Sequence, residues 1–265
     1  MALHSHRSAD RARTGDPRAM MEAVLITGGA RGLGEVLVRA FHGAGWRVAV
    51  SDIDGDAAHG LAISLDASGK TALGLALDVR MQTDFEAARD VMLDRWGVVH
   101  ALVNNAVVTR AQPVLDIAPD DFSAVVEVNL RGTFVGSQVF GRLFKTCGYG
   151  RIVNIASLAG QNGGTATGAH YAASKGGIIT LTKVFARDLA PFGVAVSAIA
   201  PGPLDLPSVR ELVPAEALTA LTETIPVRQL GDPGFIARTA VHLAGRDAAF
   251  ANGATWDANG GLFMR

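Results

Sequence analysis

The sequence predicts a single α/β domain built on a doubly wound, mostly parallel sheet of seven strands with helices on both faces. Three observations predict it. The chain has 265 residues, which is enough for one large domain. Short apolar runs alternate with stretches of helical spacing from residue 22 onward. The runs are almost continuously apolar, which is typical of parallel strands covered by helices on both faces.

The apolar runs define the strands in chain order. They are residues 23–26, 46–50, 73–77, 101–103, 152–155, 194–199 and 253–257. Residues 35–41 have helical spacing, residues 51–56 are predicted to be a loop and helix cap, and Asp232-Pro233 indicates another helix start. Prolines at 201, 203, 207 and 214 interrupt the pattern after the sixth strand, which predicts a flap over a site.

Residues 1–21 are polar and arginine-rich, and we expect a disordered leader before a domain that spans residues 22–265. The formal net charge is −1 with scattered basic residues, which favours neither nucleic acid nor a membrane surface as a partner. Cys147 is the only cysteine, so no disulfide or cysteine metal site is expected. The histidines show no ligand spacing, so we infer no metal, and we expect a reducing, cytoplasmic location.

A glycine-rich turn follows the first strand as Thr27-Gly-Gly-Ala-Arg-Gly-Leu-Gly34. Gly28, Gly32 and Gly34 permit a tight bend, and the helix that they open offers free N–H groups and its positive dipole end to a pyrophosphate. Arg31 and Leu33 lie in the same turn. The spacing predicts a dinucleotide site on a Rossmann-type strand–turn–helix unit. The alternatives are an ordinary turn or a different nucleotide site, such as that of a methyltransferase.

Asp52 ends the second strand, 18 residues beyond Gly34. A carboxylate there accepts hydrogen bonds from the adenosine ribose and repels a 2′-phosphate, which predicts NAD rather than NADP. The alternative is a helix cap, and Arg31 is the residue that would allow some NADP binding. Asp78 after the third strand is assigned either to the adenine edge or to a cap.

Other residues beside these motifs and at the same sheet edge complete the predicted cofactor site. They are Ile53, Val79, Asn105 and Ala106.

Tyr171 and Lys175 are four residues apart, which places them on one face of a helix. A lysine ammonium there favours the tyrosinate and would lower the tyrosine pKa, so the phenol could transfer a proton at neutral pH. Ser157 after the fifth strand could hold a substrate oxygen beside the phenol. Asn129 is a polar amide in an apolar helical stretch, where it either satisfies its own backbone or holds water.

Together these residues resemble the short-chain dehydrogenase/reductase family over residues 22 to 262. The motifs that carry the resemblance are Thr27-Gly-x-x-x-Gly-x-Gly34, Asn104-Asn-Ala106, Asn129, Ser157, Tyr171-x-x-x-Lys175 and Pro201-Gly202. The resemblance implies that Tyr171 is the general acid/base and that Ser157 orients the substrate oxygen. It implies that Lys175 lowers the tyrosine pKa and binds the nicotinamide ribose, and that Asn129 fixes a water in a proton relay. Pro201 and Gly202 would contact the cofactor.

The same resemblance implies hydride transfer to or from the nicotinamide. It also implies a homotetramer, with a dimer as the alternative, whose interface uses the helices that carry Asn129 and Tyr171. Three positions depart from the family pattern. Val107 stands where the family has glycine, and Leu206 stands where it commonly has threonine. The third departure is a spacing: Ser157 and Tyr171 are 14 residues apart, one more than usual. The extra residue predicts a larger loop at residues 161–164.

The favoured function is NAD(H)-dependent interconversion of a secondary alcohol and a ketone. The alternative within the family is an NADPH-dependent 3-oxoacyl-thioester (acyl carrier protein) reductase, and a non-catalytic nucleotide-binding relative is disfavoured because Tyr171 and Lys175 are both present. The candidate substrate contacts are Val107, Gln161, His170 and Leu204. The alternative for His170 is a residue that serves only the helix start.

Overall fold

The computed structural model describes residues 21–164, 167–212 and 214–265. In this part of the chain seven parallel strands form one sheet in the order β3-β2-β1-β4-β5-β6-β7. The strands are β1 (Ala23–Thr27), β2 (Arg47–Asp52), β3 (Ala72–Ala76), β4 (Ala101–Asn104), β5 (Gly150–Ile155), β6 (Val194–Pro201) and β7 (Thr255–Ala258). The predicted fold class is confirmed.

Helices cover both faces of the sheet. They are α1 (Gly32–Gly43), α2 (Gly55–Leu65), α3 (Gln82–Trp96), α4 (Pro119–Val126), α5 (Gly132–Cys147), α6 (Ala159–Asn162), α7 (Ala169–Leu189), α8 (Pro207–Leu212), α9 (Ala215–Thr224) and α10 (Pro233–Ala244). A π-helical segment, Glu127–Arg131, joins α4 to α5. In the described ranges no helix is both long and apolar enough to cross a membrane.

The sheet separates two apolar cores. Val24 and Ile26 of β1 pack into the core under α1, α2 and α10, whereas Ala23 and Leu25 pack into the core under α3, α5 and α7. Successive strand side chains point to opposite faces, so a strand buried on both faces must be apolar at every position. This is why the strands were visible in the sequence as continuous apolar runs.

The strand order reverses between β1 and β4, which are neighbours at the centre of the sheet. In a doubly wound sheet, ligands bind at the carboxyl ends of the strands beside such a reversal. The segments after β1, β4 and β5 therefore converge on one edge, and they carry the glycine turn, the Asn104-Asn105 pair and Ser157.

Several element bounds differ from the sequence prediction. Ser51 was expected in a loop but lies in β2, which ends at Asp52 as expected for that residue, because the strand pairs with β3 as far as Asp52. Gln161 and Asn162 were expected in an enlarged loop but form the last turn of α6. The predicted flap contains α8 and α9. The predicted leader, apart from Met21, lies outside the described residues, as does Val213 in the flap.

Candidate active site

The glycine turn after β1 has the geometry that a close backbone approach requires. Gly28 and Gly32 have positive φ angles of 60° and 56°, in the left-handed region that glycine adopts without strain. A Cβ atom on Gly34 would lie 1.9 Å from the Gly28 carbonyl oxygen. Only glycine at position 34 lets α1 begin so close to the turn.

The start of α1 is open to an anion. Arg31 precedes the helix and no side chain caps its first turn, so the free N–H groups and the positive end of the helix dipole remain for a ligand. A Cβ on Gly32 would meet no atom within 4 Å, so the space above the turn is clear. These residues fit a dinucleotide pyrophosphate.

The end of β4 is tied to the glycine turn by side-chain hydrogen bonds. The Asn105 amide nitrogen donates to the carbonyl oxygens of Thr27 (3.0 Å) and Gly28 (2.9 Å). The Thr27 hydroxyl accepts from the backbone N–H groups of Asn105 and Ala106 at 3.0 and 3.1 Å. The Asn105 side chain therefore fixes the conformation of the glycine turn. Its contribution to a cofactor site is mainly this indirect one.

The neighbouring Asn104 is part of a buried chain of amides and hydroxyls. Its Nδ2 donates to the Ser137 hydroxyl (3.1 Å) and to the Asn154 amide oxygen (2.8 Å), and Asn154 Nδ2 donates to the Thr182 hydroxyl (2.9 Å). Every link is satisfied, so the chain fixes β4 and β5 against α5 and α7. Asn154 lies in the apolar run of β5, and its polarity there was the signal that could have revealed this network.

Asp52 lies at the end of β2, facing the glycine turn. Its carboxylate accepts from the backbone N–H groups of Ala30 and Asp54, both at 3.2 Å, and the residue is only 6 % exposed. Arg31 Nη2 lies 3.8 Å from Asp52 Oδ1 with its side chain 72 % exposed. The cap alternative fails for Asp52 itself, because Asp54 is the residue that caps α2 by accepting from the Ala57 N–H.

Asp78 follows β3 and is held by Arg80. The Asp78 carboxylate accepts from the Arg80 backbone N–H at 2.9 Å and forms an ion pair with its guanidinium, whose hydrogen bonds lower the Asp78 pKa below its usual range. Val79 is buried beside Gly132 of α5, where a Cβ on the glycine would lie 2.8 Å from a Val79 methyl. Ile53 is largely exposed after β2.

Tyr171 and Ser157 are the predicted acid/base and the residue predicted to orient the substrate oxygen. Tyr171 lies in the first turn of α7, and burial raises the pKa of its phenol, while a hydrogen bond from Ser157 lowers it. We expected Lys175 to lower this pKa, but here burial dominates, so the isolated chain keeps the phenol protonated. Ser157 Oγ also accepts from the Ala159 N–H at 3.1 Å, which fixes the hydroxyl at the start of α6.

Lys175 lies one turn after Tyr171 on α7, as predicted, and it is 2 % exposed. Its Nζ donates to the Ile155 carbonyl oxygen at 2.7 Å and lies 5.7 Å from the centre of the Tyr171 ring. Burial lowers the Lys175 pKa to about 7. An ammonium that is only partly populated near neutral pH and points at a backbone carbonyl exerts little pull on the phenol proton, which explains the difference from the prediction.

Asn129 is fully buried in the π-helical segment. Its amide accepts from the Val108 N–H (2.9 Å) and donates to the Val108 carbonyl (3.0 Å) and the Ser174 hydroxyl (3.1 Å). The side chain therefore holds the segment after β4 against α7, and its partners are the backbone of Val108 and the Ser174 hydroxyl rather than its own backbone. π-helical turns widen a helix locally and frequently lie at functional sites.

The four candidate substrate contacts differ in exposure. Val107 is 46 % exposed after β4, so it is free to contact a ligand. Gln161 on α6 donates from its amide to the Asp257 carboxylate, and Leu204 is half-buried, where it packs against Gly231.

His170 is fully buried, and its Nδ1 accepts from the Tyr171 N–H at 2.9 Å. Its ring packs against Gly168, where a Cβ would lie 2.3 Å from Cε1. His170 therefore serves the start of α7, the alternative that the sequence left open, and its buried Nε2 has no hydrogen-bond partner among the described residues.

Pro201 ends β6, and Gly202 follows it beside β7. The Pro201 carbonyl accepts from the Leu158 N–H at 2.9 Å, and a Cβ on Gly202 would lie 2.9 Å from the Asn259 Cα. These contacts bring the segment after β6 to the same sheet edge as Ser157. The glycine turn, Asp52, the tetrad of Asn129, Ser157, Tyr171 and Lys175, and the Pro201-Gly202 pair thus surround one edge of one sheet.

Comparison with known proteins decides the family. A family model described as short chain dehydrogenase matches residues 22–217. The chain belongs to the short-chain dehydrogenase/reductase family. It is similar to a 3-oxoacyl-(acyl-carrier-protein) reductase of Vibrio cholerae, with 34 % identity over 92 % of this chain and 98 % of the relative. It is also similar to a sorbitol dehydrogenase of Cereibacter sphaeroides, with 31 % identity over the same shares of the two chains.

A solved member of the family has the same fold. The gluconate 5-dehydrogenase of Burkholderia cenocepacia, crystallised with NADP and tartrate, superposes with a TM-score of 0.84 over 91 % of this chain and 94 % of its own, at 33 % identity. This short-chain dehydrogenase/reductase is therefore an NAD(P)-dependent oxidoreductase that acts on CH–OH or C=O groups.

Proposed function

We propose that this short-chain dehydrogenase/reductase interconverts a secondary alcohol and a ketone with NAD(H). The observation that carries the proposal is the placement of Tyr171 and Lys175 on adjacent turns of α7, with the Lys175 Nζ 5.7 Å from the centre of the Tyr171 ring and with Ser157 near enough to the phenol to lower its pKa. An intact tetrad argues against a non-catalytic, nucleotide-binding role.

The chain's own residues account for the proton and for substrate orientation. The bound cofactor supplies or accepts the hydride. In ketone reduction, Ser157 donates a hydrogen bond to the substrate oxygen, and Tyr171 delivers its phenol proton to that oxygen. Burial keeps the phenol protonated, which suits this direction, whereas alcohol oxidation requires the charged Lys175 to stabilise the tyrosinate.

Lys175 has a second task in this scheme. Its Nζ is buried and bonded to the Ile155 carbonyl, which holds it at a fixed distance from the phenol. By the family resemblance it would also bind a hydroxyl of the nicotinamide ribose. A pKa of about 7 lets the amine release and regain a proton near neutral pH. The proton that Tyr171 gives up would be replaced through Lys175.

The preference for NAD rests on Asp52. Its carboxylate is nearly buried and is fixed by two backbone N–H groups, so it is held in one place where the adenosine ribose is expected. Charged groups interact more strongly as they leave water, and a 2′-phosphate beside this carboxylate would be repelled. Ribose hydroxyls, in contrast, are good donors to a carboxylate.

A second candidate is an NADPH-dependent 3-oxoacyl-thioester reductase. The Vibrio cholerae relative carries that name, and the Burkholderia cenocepacia structure is described as a complex with NADP. The observation in this chain that favours it is Arg31, whose mostly exposed guanidinium lies beside Asp52 and could pair with a 2′-phosphate.

A turnover screen separates the two. The protein is assayed with NAD and NADP against secondary alcohols, ketones, polyols, hydroxy acids and 3-oxoacyl thioesters. We expect higher kcat/KM with NAD, and we expect Asp52→Ala to narrow the preference. Asp54→Ala is the matched control, because the Asp54 side chain caps α2 and only its backbone N–H, which the substitution keeps, touches Asp52. A wild-type enzyme that already prefers NADP would contradict the reading of Asp52, and a preference for thioesters would favour the second candidate.

We also propose that the protein is a homotetramer in the cytoplasm. We propose in addition that its folded domain starts near residue 22. Phe134 of α5 and Val184 of α7 are exposed apolar side chains on the two helices for which the family resemblance implies an interface, and Cys147 is a free, exposed thiol. Light scattering on the full chain tests the tetramer, and a monomer would refute it. The same measurement on a chain lacking residues 1–19 tests the start of the domain, and loss of folded protein on truncation would refute that.

A further inference from the structure

The short helix α6 lies between Ser157 and the part of α7 that carries Lys175. It starts two residues after Ser157, whose hydroxyl accepts from the Ala159 N–H at 3.1 Å. Its Gly160 rests on α7, where a Cβ would lie 2.5 Å from the Lys175 carbonyl carbon. A displacement of α6 therefore changes the position of Ser157 relative to Lys175.

A chain of polar contacts holds α6 from outside this site. Gln161 on α6 donates from Nε2 to Asp257 Oδ1 at 2.5 Å. Asp257 lies on the edge strand β7 and is bound in turn by Arg265, with Nε 2.9 Å from Oδ2 and Nη2 3.2 Å from Oδ1. The two-pronged contact fixes the plane of the carboxylate and so fixes the oxygen that Gln161 uses.

Gln161 depends on this contact. Its Oε1 is buried and has no hydrogen-bond partner among the described residues, so the bond to Asp257 is the polar contact that orients the amide. The Asp257 side chain is 21 % exposed and that of Arg265 is 47 % exposed, which leaves the ion pair sensitive to salt.

We propose that Asp257 and Arg265 are positioning residues of the active site, which hold α6, and through it Ser157, by way of Gln161. Only the expected effect on turnover rests on the proposed function. The contact between the edge strand and α6 does not depend on the substrate. A positioning role differs from simple stabilisation because its loss should change both the exchange of α6 and kcat, and the contact that carries it joins Gln161 to Asp257, 96 residues apart in sequence.

The chain offers a matched control. Arg238 pairs with Asp232 at 3.1 Å, both are more exposed than the Arg265–Asp257 pair, and both pairs line one cavity of about 750 Å³ beside β7. The Arg238–Asp232 pair belongs to the start of α10 and makes no described contact with α6. Removing it costs an ion pair in the same cavity without releasing Gln161.

Hydrogen exchange tests the positioning directly and needs no substrate. The amides of Gly160, Gln161 and Gly163 are bonded within α6 to the carbonyls of Ser157, Leu158 and Ala159. In Arg265→Ala we expect exchange in the peptide that covers residues 157–164 to be faster by about three- to five-fold, as for loss of one exposed ion pair. Arg265→Lys should retain part of the protection, and Arg238→Ala should leave this peptide unchanged.

Salt and kinetics give two further readouts. Raising the salt concentration should speed exchange of this peptide in the wild type towards the rate of Arg265→Ala, and should leave that variant unchanged. With the substrate found by the turnover screen, Arg265→Ala should lower kcat several-fold and leave the KM for the cofactor unchanged.

Equal exchange in Arg265→Ala, Arg238→Ala and wild type would overturn the proposal, even if the turnover screen identifies a substrate. If the screen finds none, faster exchange confined to Arg265→Ala still supports the positioning contact. Gln161→Ala, which removes the contact from the other side, should match Arg265→Ala, and a normal exchange rate in it would equally overturn the proposal.

Discussion

Replacing Lys175 by methionine should change how the stability of the protein depends on pH. Lys175 is 2 % exposed and donates to the Ile155 carbonyl. Burial lowers its pKa to about 7, whereas an unfolded lysine titrates at about 10.4. Methionine has a similar length and never carries a charge, so the substitution removes this titration and leaves the surrounding side chains in place.

The sign follows from the two pKa values. Between pH 7 and pH 10 the unfolded wild-type chain binds a proton that the folded chain has released, so the free energy of unfolding rises with pH. Below pH 7 both states are protonated, and the folded wild type carries the full cost of a buried charge, roughly 4–5 kcal/mol at 1.36 kcal/mol per pKa unit. From pH 6 to pH 9 the wild type should recover roughly 2–3 kcal/mol of this cost.

The assay is urea unfolding of the cofactor-free protein at one protein concentration and at pH 6, 7, 8 and 9. The stability of Lys175→Met relative to wild type should be greatest at pH 6 and should fall by roughly 2–3 kcal/mol by pH 9. Loss of the hydrogen bond to Ile155 changes the stability difference by the same amount at all four pH values. The change of this difference with pH therefore reports the titration of Lys175 alone. Lys183→Met on the exposed side of α7 is the control. A pH-independent difference for Lys175→Met, or the same slope in Lys183→Met, would refute the reasoning.

Two further predictions concern the elements that support the site. Gly34→Ala should weaken NADH binding and destabilise the fold by about 2 kcal/mol or more, because its Cβ would meet the Gly28 carbonyl at 1.9 Å. Gly43→Ala in the same helix meets no atom within 4 Å and should be neutral or slightly stabilising in thermal melts; equal effects would contradict the packing argument. The Tyr171 N–H has two acceptors, His170 Nδ1 at 2.9 Å and the Gly168 carbonyl at 3.1 Å. His170→Leu removes the first and should speed exchange of that amide about two- to three-fold. His170→Asn keeps an acceptor and should not, so faster exchange in both variants would assign the effect to packing.

The fold was predictable from the sequence because burial on both sheet faces forces the strands to be apolar throughout. The strand ends were less predictable. Asp52 and Asn104 are polar and resemble loop residues, yet both are strand residues, because a parallel strand continues until its backbone pairing ends. Local polarity marks the edge of the core rather than the end of a strand.

In the site too, contacts between residues close in sequence could be predicted, and contacts between residues far apart in sequence could not. Tyr171 and Lys175 could be paired from their spacing alone, since a helix places residues four apart on one face. The π-helical segment around Asn129 leaves no signature in a five-residue stretch, because its composition fits an ordinary helix equally well. The contact of Gln161 with Asp257 joins residues far apart in sequence and depends on where β7 lies.

His170 shows how burial changes a prediction. Its position before Tyr171 suggested a substrate contact, but the ring turns inward against Gly168 and accepts from the Tyr171 backbone. The missing side chain at residue 168 makes room for it. A glycine two residues before a histidine is a weak signal in a chain with 31 glycines, and the inward orientation could not be read from it.

The central claim is that Tyr171 transfers the proton in an NAD(H)-dependent oxidoreduction. The measurement that tests it most directly is steady-state turnover of Tyr171→Phe with the best substrate from the screen, together with a fluorescence titration of NADH. The account predicts that kcat falls by roughly 10²- to 10⁴-fold while NADH affinity stays close to that of the wild type, because the phenol oxygen alone is lost. Turnover near the wild-type rate with intact NADH binding would contradict it.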